Sequence, residues 1–139
     1  MAHPHITGGG FDLSAVARTF ERYVAEKRLS GRLRFYPGDF LKGPPPAADV
    51  LVMGRVLHNW DLNTKRLLLG KAHTALTAGG VLIVCERLID DDRRTSAIGM
   101  LSSLNMLIMT EGGFDFSGAD CVGWMQEAGS GRARGAIDI

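Results

Sequence analysis

The stretch VLHNWDLNTK, residues 56–65, places an imidazole, an amide, an indole and a carboxylate between DVLVMG (49–54), an apolar run of strand length, and TKRLLLGKAHTAL (64–76), which has helical spacing. A strand-to-helix connection requires only a turn residue and an N-cap, so the surplus of reactive side chains points to chemistry. His58 is the leading candidate, because an imidazole titrates near neutrality and, at a strand's carboxyl end, suits a general base that takes a proton from a substrate hydroxyl. Glu86, near the end of the apolar run VLIVCERL (81–88), could orient that ring and stabilise the imidazolium, as a carboxylate does for a triad histidine. A histidine that merely hydrogen-bonds a loop carbonyl fits the same spacing.

Other residues carry paired readings. Asp12 could accept both hydroxyls of a ribose, since an ionised carboxylate offers two acceptor oxygens; equally, Asp12 or Ser14 could cap the helix that follows. Asp39 with Phe40 could hold an adenine through its exocyclic amine and its face, or could be turn residues after Pro37 and Gly38. Met100, Met106 and Met109, with Leu104 and Leu107, could form the adaptable wall of a pocket for a flat apolar substrate, or simply be core. The glycines at 8–10 precede an acidic residue instead of following a strand, so they do not make a dinucleotide phosphate loop. His3 and His5 lack neighbouring metal ligands and read as a tail, and no metal site is expected.

The elements that would position these residues alternate. ITGGGFDL (6–13) reads as a strand and AVARTFERYVAEKRL as a helix with Val16, Phe20, Val24 and Leu29 on one face. RLRFYPGDF (32–40) begins as a strand, KGPPPAAD (42–49) is a rigid loop, and DVLVMG is a strand apolar throughout, as expected of one buried on both faces. A helix over 62–76 should bury Leu67, Leu68, Ala72, Ala75 and Leu76, with Ala78, Gly79 and Gly80 ending it. After the strand at 81–88 comes a charged turn, DDDRR (90–94), then helices over SAIGMLSSLNMLIMT and SGADCVGWMQEAG. Strands alternating with helices predict a parallel, doubly wound α/β sheet, in which ligands bind beyond the carboxyl ends of the strands.

Composition narrows the function classes. The chain has 139 residues and a formal net charge of +1, so nothing suggests capture of nucleic acid or of an anionic membrane surface. No apolar run approaches the ~18 residues of a membrane span, and MAHPHITGGG is not a signal peptide, which predicts a cytoplasmic protein. Cys85 and Cys121 are too few and too differently placed for a disulfide framework or a zinc site, and both read as reduced core residues.

Taken together, GFDLSAVA, RLRFYPGDF, ADVLVMGRVLHNWDLNTKRLLLGKAHTALTAGGVLIVCE and LNMLIMTEGGFDFSGADCVGWMQEAG resemble the catalytic domain of S-adenosylmethionine-dependent O-methyltransferases of the caffeate and hydroxyindole type, in the bacterial branch, over residues 6–129. The resemblance implies that Asp12 binds the ribose of S-adenosyl-L-methionine and that Asp39 and Phe40 contact its adenine end. Arg55 stands where the family has a basic residue, usually lysine, near the cofactor. His58 matches the general base, with Asn59 in place of the usual aspartate, Glu86 its acidic partner, and Asp115 a second acidic residue flanking the base. Asn105, Met106 and Met109 would line the pocket for a small-molecule hydroxyl acceptor.

The fold so implied is α/β, a partial Rossmann-like class I methyltransferase sheet with flanking helices, lacking the first strand with its glycine-rich loop and the C-terminal hairpin. On this reading residues 1–129 are a partial catalytic domain and residues 130–139 an irregular tail. The helical domain through which the family forms homodimers is not matched. Residues 8–13 must then pair with 49–54 or leave backbone groups unsatisfied, and exposed apolar surface or low stability is expected. Two other readings follow: a noncatalytic fragment that keeps part of an adenosine site or pairs with an intact relative, and a hydrolase-like enzyme using His58 and Glu86, for which no nucleophile elbow is visible.

Overall fold

The glycines at 8–10 lie in a strand. In the structure, a computed structural model that describes residues 3–129 and 137–138, strand β1 (Gly8–Asp12) runs parallel to β2 (Leu33–Pro37), with Gly8 opposite Leu33 and Asp12 opposite Pro37. Helix α1 (Ala17–Glu26) connects them and is preceded by a single 3-10 turn over Ser14–Val16. Gly10 has a packing reason: a Cβ there would come within 2.7 Å of the Phe20 ring, which α1 lays over the strands and against Phe35. Neither Asp12 nor Ser14 caps this helix with its side chain; Asp12 instead accepts the adjacent Leu13 N–H at 2.7 Å. These elements form the first of two compact units, Met1–Pro46.

The second unit, Ala47–Ile139, is built on β3 (Ala48–Gly54) and β4 (Leu76–Glu86), which are parallel and in register from Val50↔Val81 to Gly54↔Cys85. Helix α2 (Leu62–Ala75) crosses between them; the Asp61 carboxylate accepts the Thr64 N–H at 2.7 Å and caps it. The helix passes straight into β4 at Leu76, so the predicted stop at Ala78–Gly80 falls inside the strand, where Gly79 takes a φ of +82°. Helix α3 (Ala97–Met109) follows β5 (Leu88–Ile89), which pairs in parallel with β6 (Phe116–Ser117). Ser117 and Asp120 close a reciprocal capping box at the start of α4 (Gly118–Glu127).

The core of this unit lies between α2, α4 and β4, where Leu57, Leu68, Leu69, Ala72, Val84, Phe116, Cys121 and Trp124 are buried. Trp124 meets the Phe116 ring at 5.1 Å between centroids and the Phe114 ring at 6.2 Å, both edge to face. Burial pushes the Cys121 thiol up to about 11, which keeps it protonated as an inert core residue.

Four sequence expectations change. The single doubly wound sheet is divided into β1–β2, β3–β4–β7 and β5–β6, so β1 takes β2 and not β3 as its partner. Strand β3 is not buried on both faces, since Val50 and Val52 are exposed. On α2, Leu67 faces solvent while Leu69 and Lys65 are buried, which rotates the inner face by about one residue from the predicted stripe. The tail is not wholly irregular: β7 (Ile137–Asp138) pairs in parallel with Cys85 and Glu86 of β4. Apolar side chains are also exposed on α3, where Ile98, Leu101, Leu104, Leu107, Ile108 and Met109 all face outward.

Candidate active site

Strands β3 and β4 end side by side, and the chain leaving β3 must turn sharply to start α2. Arg55 makes that turn in the left-handed region at φ 55°, while its N–H donates to the Cys85 carbonyl at 2.9 Å and so keeps the two strand ends joined. A 3-10 turn over Leu57–Asn59 follows. The Asn59 side-chain amide donates to the carbonyls of Arg55 at 3.2 Å and Val56 at 3.3 Å, which holds the turn closed.

This turn presents His58 to Glu86. The ring Nδ1 lies 2.5 Å from Glu86 Oε2, with both residues buried. The other carboxylate oxygen, Oε1, accepts the N–H groups of Val56 at 2.8 Å and Leu57 at 2.7 Å. Because a carboxylate only accepts, the Nδ1 proton donates to Glu86, and in the neutral ring Nε2 carries the lone pair. That is the tautomer a general base requires.

Asp115 joins this region from the segment between α3 and β6. It is buried, its N–H donates to Ser103 Oγ at 3.2 Å, and its Oδ2 has no hydrogen-bond partner among the described residues. Gly113 allows the approach: a Cβ there would stand 2.6 Å from the His58 carbonyl oxygen and 2.8 Å from the Asn59 carbonyl carbon. Gly112, at φ +87°, supplies the bend before it.

A residue that pattern reading missed is Lys65, fully buried on the inner face of α2. Its ammonium donates to the Trp60 carbonyl and lies 3.4 Å from the centroid of the Phe114 ring and 5.6 Å from that of Phe116. Burial pulls its pKa down to about 8, against the opposing pull of the Glu86, Asp115 and Asp61 charges. The signal was available, since Lys65 shares a helical face with Leu68, Leu69 and Ala72 at spacings of three, four and seven.

In the first unit, Asp12 closes β1 and Asp39 follows β2, so both carboxylates stand at the carboxyl edge of two paired strands. The Gly38 N–H donates to the Asp12 carbonyl at 2.9 Å. Asp39 accepts the Leu41 N–H at 2.9 Å and pairs with Lys42 at 3.3 Å; the backbone N–H of Leu41 is the main cause holding its carboxyl below the usual range. Phe40 beside it is half-buried. Ribose hydroxyls and an exocyclic amine are donors, and two acceptor-only carboxylates at a strand edge fit them chemically. Asn105 and Met109 face outward on α3 and Met106 is half-buried. Arg55 is exposed. Among the described residues no cluster of histidine, cysteine or carboxylate side chains could hold a metal ion, and no helix is long and apolar enough to cross a membrane.

Parallel strands with flanking helices, and a histidine–carboxylate pair at the strand ends, define an α/β chain of the Rossmann-like class I methyltransferase kind. Residues 1–129 match the O-methyltransferase domain, and the chain belongs to that family. It is 40% identical over 128 residues to the tetracenomycin polyketide synthesis 8-O-methyl transferase TcmO of Streptomyces glaucescens, a match covering 92% of this chain and 38% of that protein. It is 43% identical over 105 residues to the N,N-dimethyltransferase OxyT of Streptomyces rimosus, covering 76% of this chain and 30% of that one. The solved structure of PigF with SAH superposes with a TM-score of 0.89 at 27% identity, covering 96% of this chain and 40% of PigF. The chain thus spans less than half the length of these relatives.

Proposed function

We propose that this chain carries the base and part of the nucleoside site of an S-adenosylmethionine-dependent O-methyltransferase acting on a hydroxyl of a small aromatic or polyketide-like molecule. The carrying observation is the buried His58–Glu86 pair, whose geometry leaves Nε2 as the proton acceptor. S-adenosylmethionine, when bound, supplies an electrophilic methyl group on a sulfonium. His58 takes the acceptor's hydroxyl proton at Nε2 as the oxygen becomes nucleophilic, and Glu86 stabilises the imidazolium that results. Asp115 adds a second negative charge near that imidazolium. Asp12 would accept the ribose hydroxyls, Asp39 with Phe40 would receive the adenine, and Arg55 would be the basic cofactor-binding residue. Much of the rate in such a displacement comes from alignment of the reacting atoms, so the rigidity of the His58 turn matters as much as the basicity of the ring.

The naming of TcmO as an 8-O-methyl transferase of polyketide synthesis supports a phenolic polyketide acceptor; OxyT's naming as an N,N-dimethyltransferase makes amines the control class. The test is methyl transfer from labelled S-adenosylmethionine to hydroxylated and amino-substituted polycyclic aromatics, read by mass spectrometry, with calorimetric titration of S-adenosylhomocysteine alongside. Product with a phenol, lost in His58→Ala, and binding lost in Asp12→Ala are the expected results. Turnover that survives His58→Ala would sink the base assignment, whereas a folded chain that binds neither cofactor form would sink the nucleoside site.

A further inference from the structure

The site contains a buried cation that the proposed proton transfer does not use. Four groups that can carry charge are buried and linked: His58 in the turn after β3 binds Glu86 at the end of β4, and Lys65 on α2 feels the charges of Glu86, of Asp115 before β6 and of the exposed Asp61 at the cap of its own helix. Glu86 is fully engaged, with two backbone N–H groups on one oxygen and His58 on the other. Asp115 leaves Oδ2 buried without a hydrogen-bond partner among the described residues. Two carboxylates are thus held away from water with one side-chain ammonium near them, that of Lys65. That ammonium is fixed by the Trp60 carbonyl, two residues beyond His58, and by the Phe114 ring, adjacent to Asp115.

We propose that Lys65 is a positioning residue that sets the charge state of His58: its buried ammonium ties the base-bearing turn to the Asp115 segment and balances the paired carboxylates, so that the imidazole stays in its proton-accepting form. The charge count gives the sign. With Glu86 and Asp115 ionised, Lys65 charged and His58 neutral, the group carries one net negative charge. Replacing Lys65 by an uncharged residue makes it two, and the histidine is then the group that takes up a proton. A neighbouring cation disfavours the protonated imidazole, so its removal moves the titration in this direction. A lysine serving only as filler for the space beside Phe114 and Phe116 would have no such effect on the ring.

This inference rests on His58 being the base, but its test does not require turnover, so an inactive chain leaves it open to refutation. The measurement is NMR titration of the His58 ring in the full chain, in four proteins: the parent, Lys65→Met, Asp115→Asn, and the double variant. The His58 midpoint is expected to rise by roughly one pH unit in Lys65→Met, fall in Asp115→Asn, and return close to the parent in the double variant. A midpoint unmoved by Lys65→Met overturns the proposal, even if the variant is less stable. Should Lys65→Met fail to fold, the parent alone decides. The Lys65 Cε resonance should titrate at about pH 8, where burial places that group, with a matching step in the His58 ring signals. A Lys65 step without an echo at His58 overturns the proposal equally.

Discussion

Glu86 binds His58 with one oxygen and the backbone of the turn that carries His58 with the other: Oε2 lies 2.5 Å from the ring nitrogen, and Oε1 takes the N–H groups of Val56 and Leu57. One carboxylate therefore shapes the loop, orients the ring and fixes its tautomer. The roles of the two oxygens can be separated, because an amide oxygen can replace Oε1 but an amide nitrogen cannot replace Oε2.

Glu86→Gln follows directly. The glutamine oxygen can still accept the two backbone N–H groups, while its NH2 faces Nδ1 and forces that nitrogen to become the acceptor. Nε2 then carries the proton and can no longer take one from a substrate. The expected outcome is a folded protein with methyl transfer reduced by roughly 10³–10⁴-fold, the scale seen when a triad histidine is held in the wrong tautomer. Nitrogen chemical shifts of the ring check the tautomer directly. Glu86→Ala removes both roles and should also lose about 3 kcal/mol of stability, because two buried N–H groups and the ring lose their partner.

Much of this arrangement was legible in the sequence, for physical reasons that differ residue by residue. The turn after β3 and the start of α2 near Leu62 could be read because strand, turn chemistry and helix follow one another without ambiguity. Glu86 could be placed beside His58 because parallel strands bring their carboxyl ends to one edge. Lys65 escaped because pattern reading assigns lysine to the solvent face, and only the neighbouring aromatic rings and the Trp60 carbonyl make its burial tolerable. The division of the sheet and the exposure of Val50 and Val52 depend on which strands meet, and that is a long-range property. Strand β7 was missed because two residues are too few to show alternation.

Asn59 illustrates how a local departure from a family pattern can be structural. Both of its partners are carbonyl oxygens, at Arg55 and Val56, so the side chain must donate. Asn59→Asp replaces the donor by an acceptor facing two acceptors. The expected cost is roughly 1–2 kcal/mol in urea unfolding near neutral pH, and part of it should return in acid, where a protonated carboxyl can donate again.

Gly113→Ala tests how closely the Asp115 segment must approach the base. The added methyl would sit 2.6 Å from the His58 carbonyl oxygen and 2.2 Å from Thr110 Oγ1, and the backbone contact cannot be relieved by a rotamer change. Separation of the two segments should cost about 1–3 kcal/mol. Methyl transfer should fall further than stability alone explains, which a comparison of rate and melting temperature at a common temperature would show.

The outward face of α3 offers a test with the opposite expectation. Leu101, Leu104 and Ile108 are exposed, and a patch of this kind drives association when nothing covers it. Leu101→Lys with Ile108→Lys should leave the unfolding free energy within about 0.5 kcal/mol, as surface changes usually do, while lowering the scattering of concentrated solutions. A large loss of stability in that double variant would mean that these side chains are packed against protein.

Lys65 makes the pH dependence of stability unusual. Its pKa falls from 10.5 to about 8 on folding, and burial is the leading cause. Below pH 8 the lysine is protonated in both states, and the folded state bears the full penalty of a buried charge. Between pH 8 and 10.5 the unfolded chain holds the proton and the folded chain does not, so the lysine's contribution to stability rises with pH across that window, opposed above pH 9 by the raised Cys121 thiol. The shift corresponds to roughly 3 kcal/mol when fully relieved. Most lysines that gain a partner on folding behave the other way. Lys65→Met should lack this rise, keeping only the decline above pH 9 that the raised Cys121 thiol imposes on both proteins, and near neutrality it should be at least as stable as the parent, since it removes the penalty along with the hydrogen bond to Trp60. Urea unfolding of both proteins at pH 7, 8.5 and 10 checks the slope. A parent that loses stability from pH 8 to 10 more steeply than Lys65→Met would mean that the ammonium is a net stabilising contact, and that its place at the site comes at no cost to the fold.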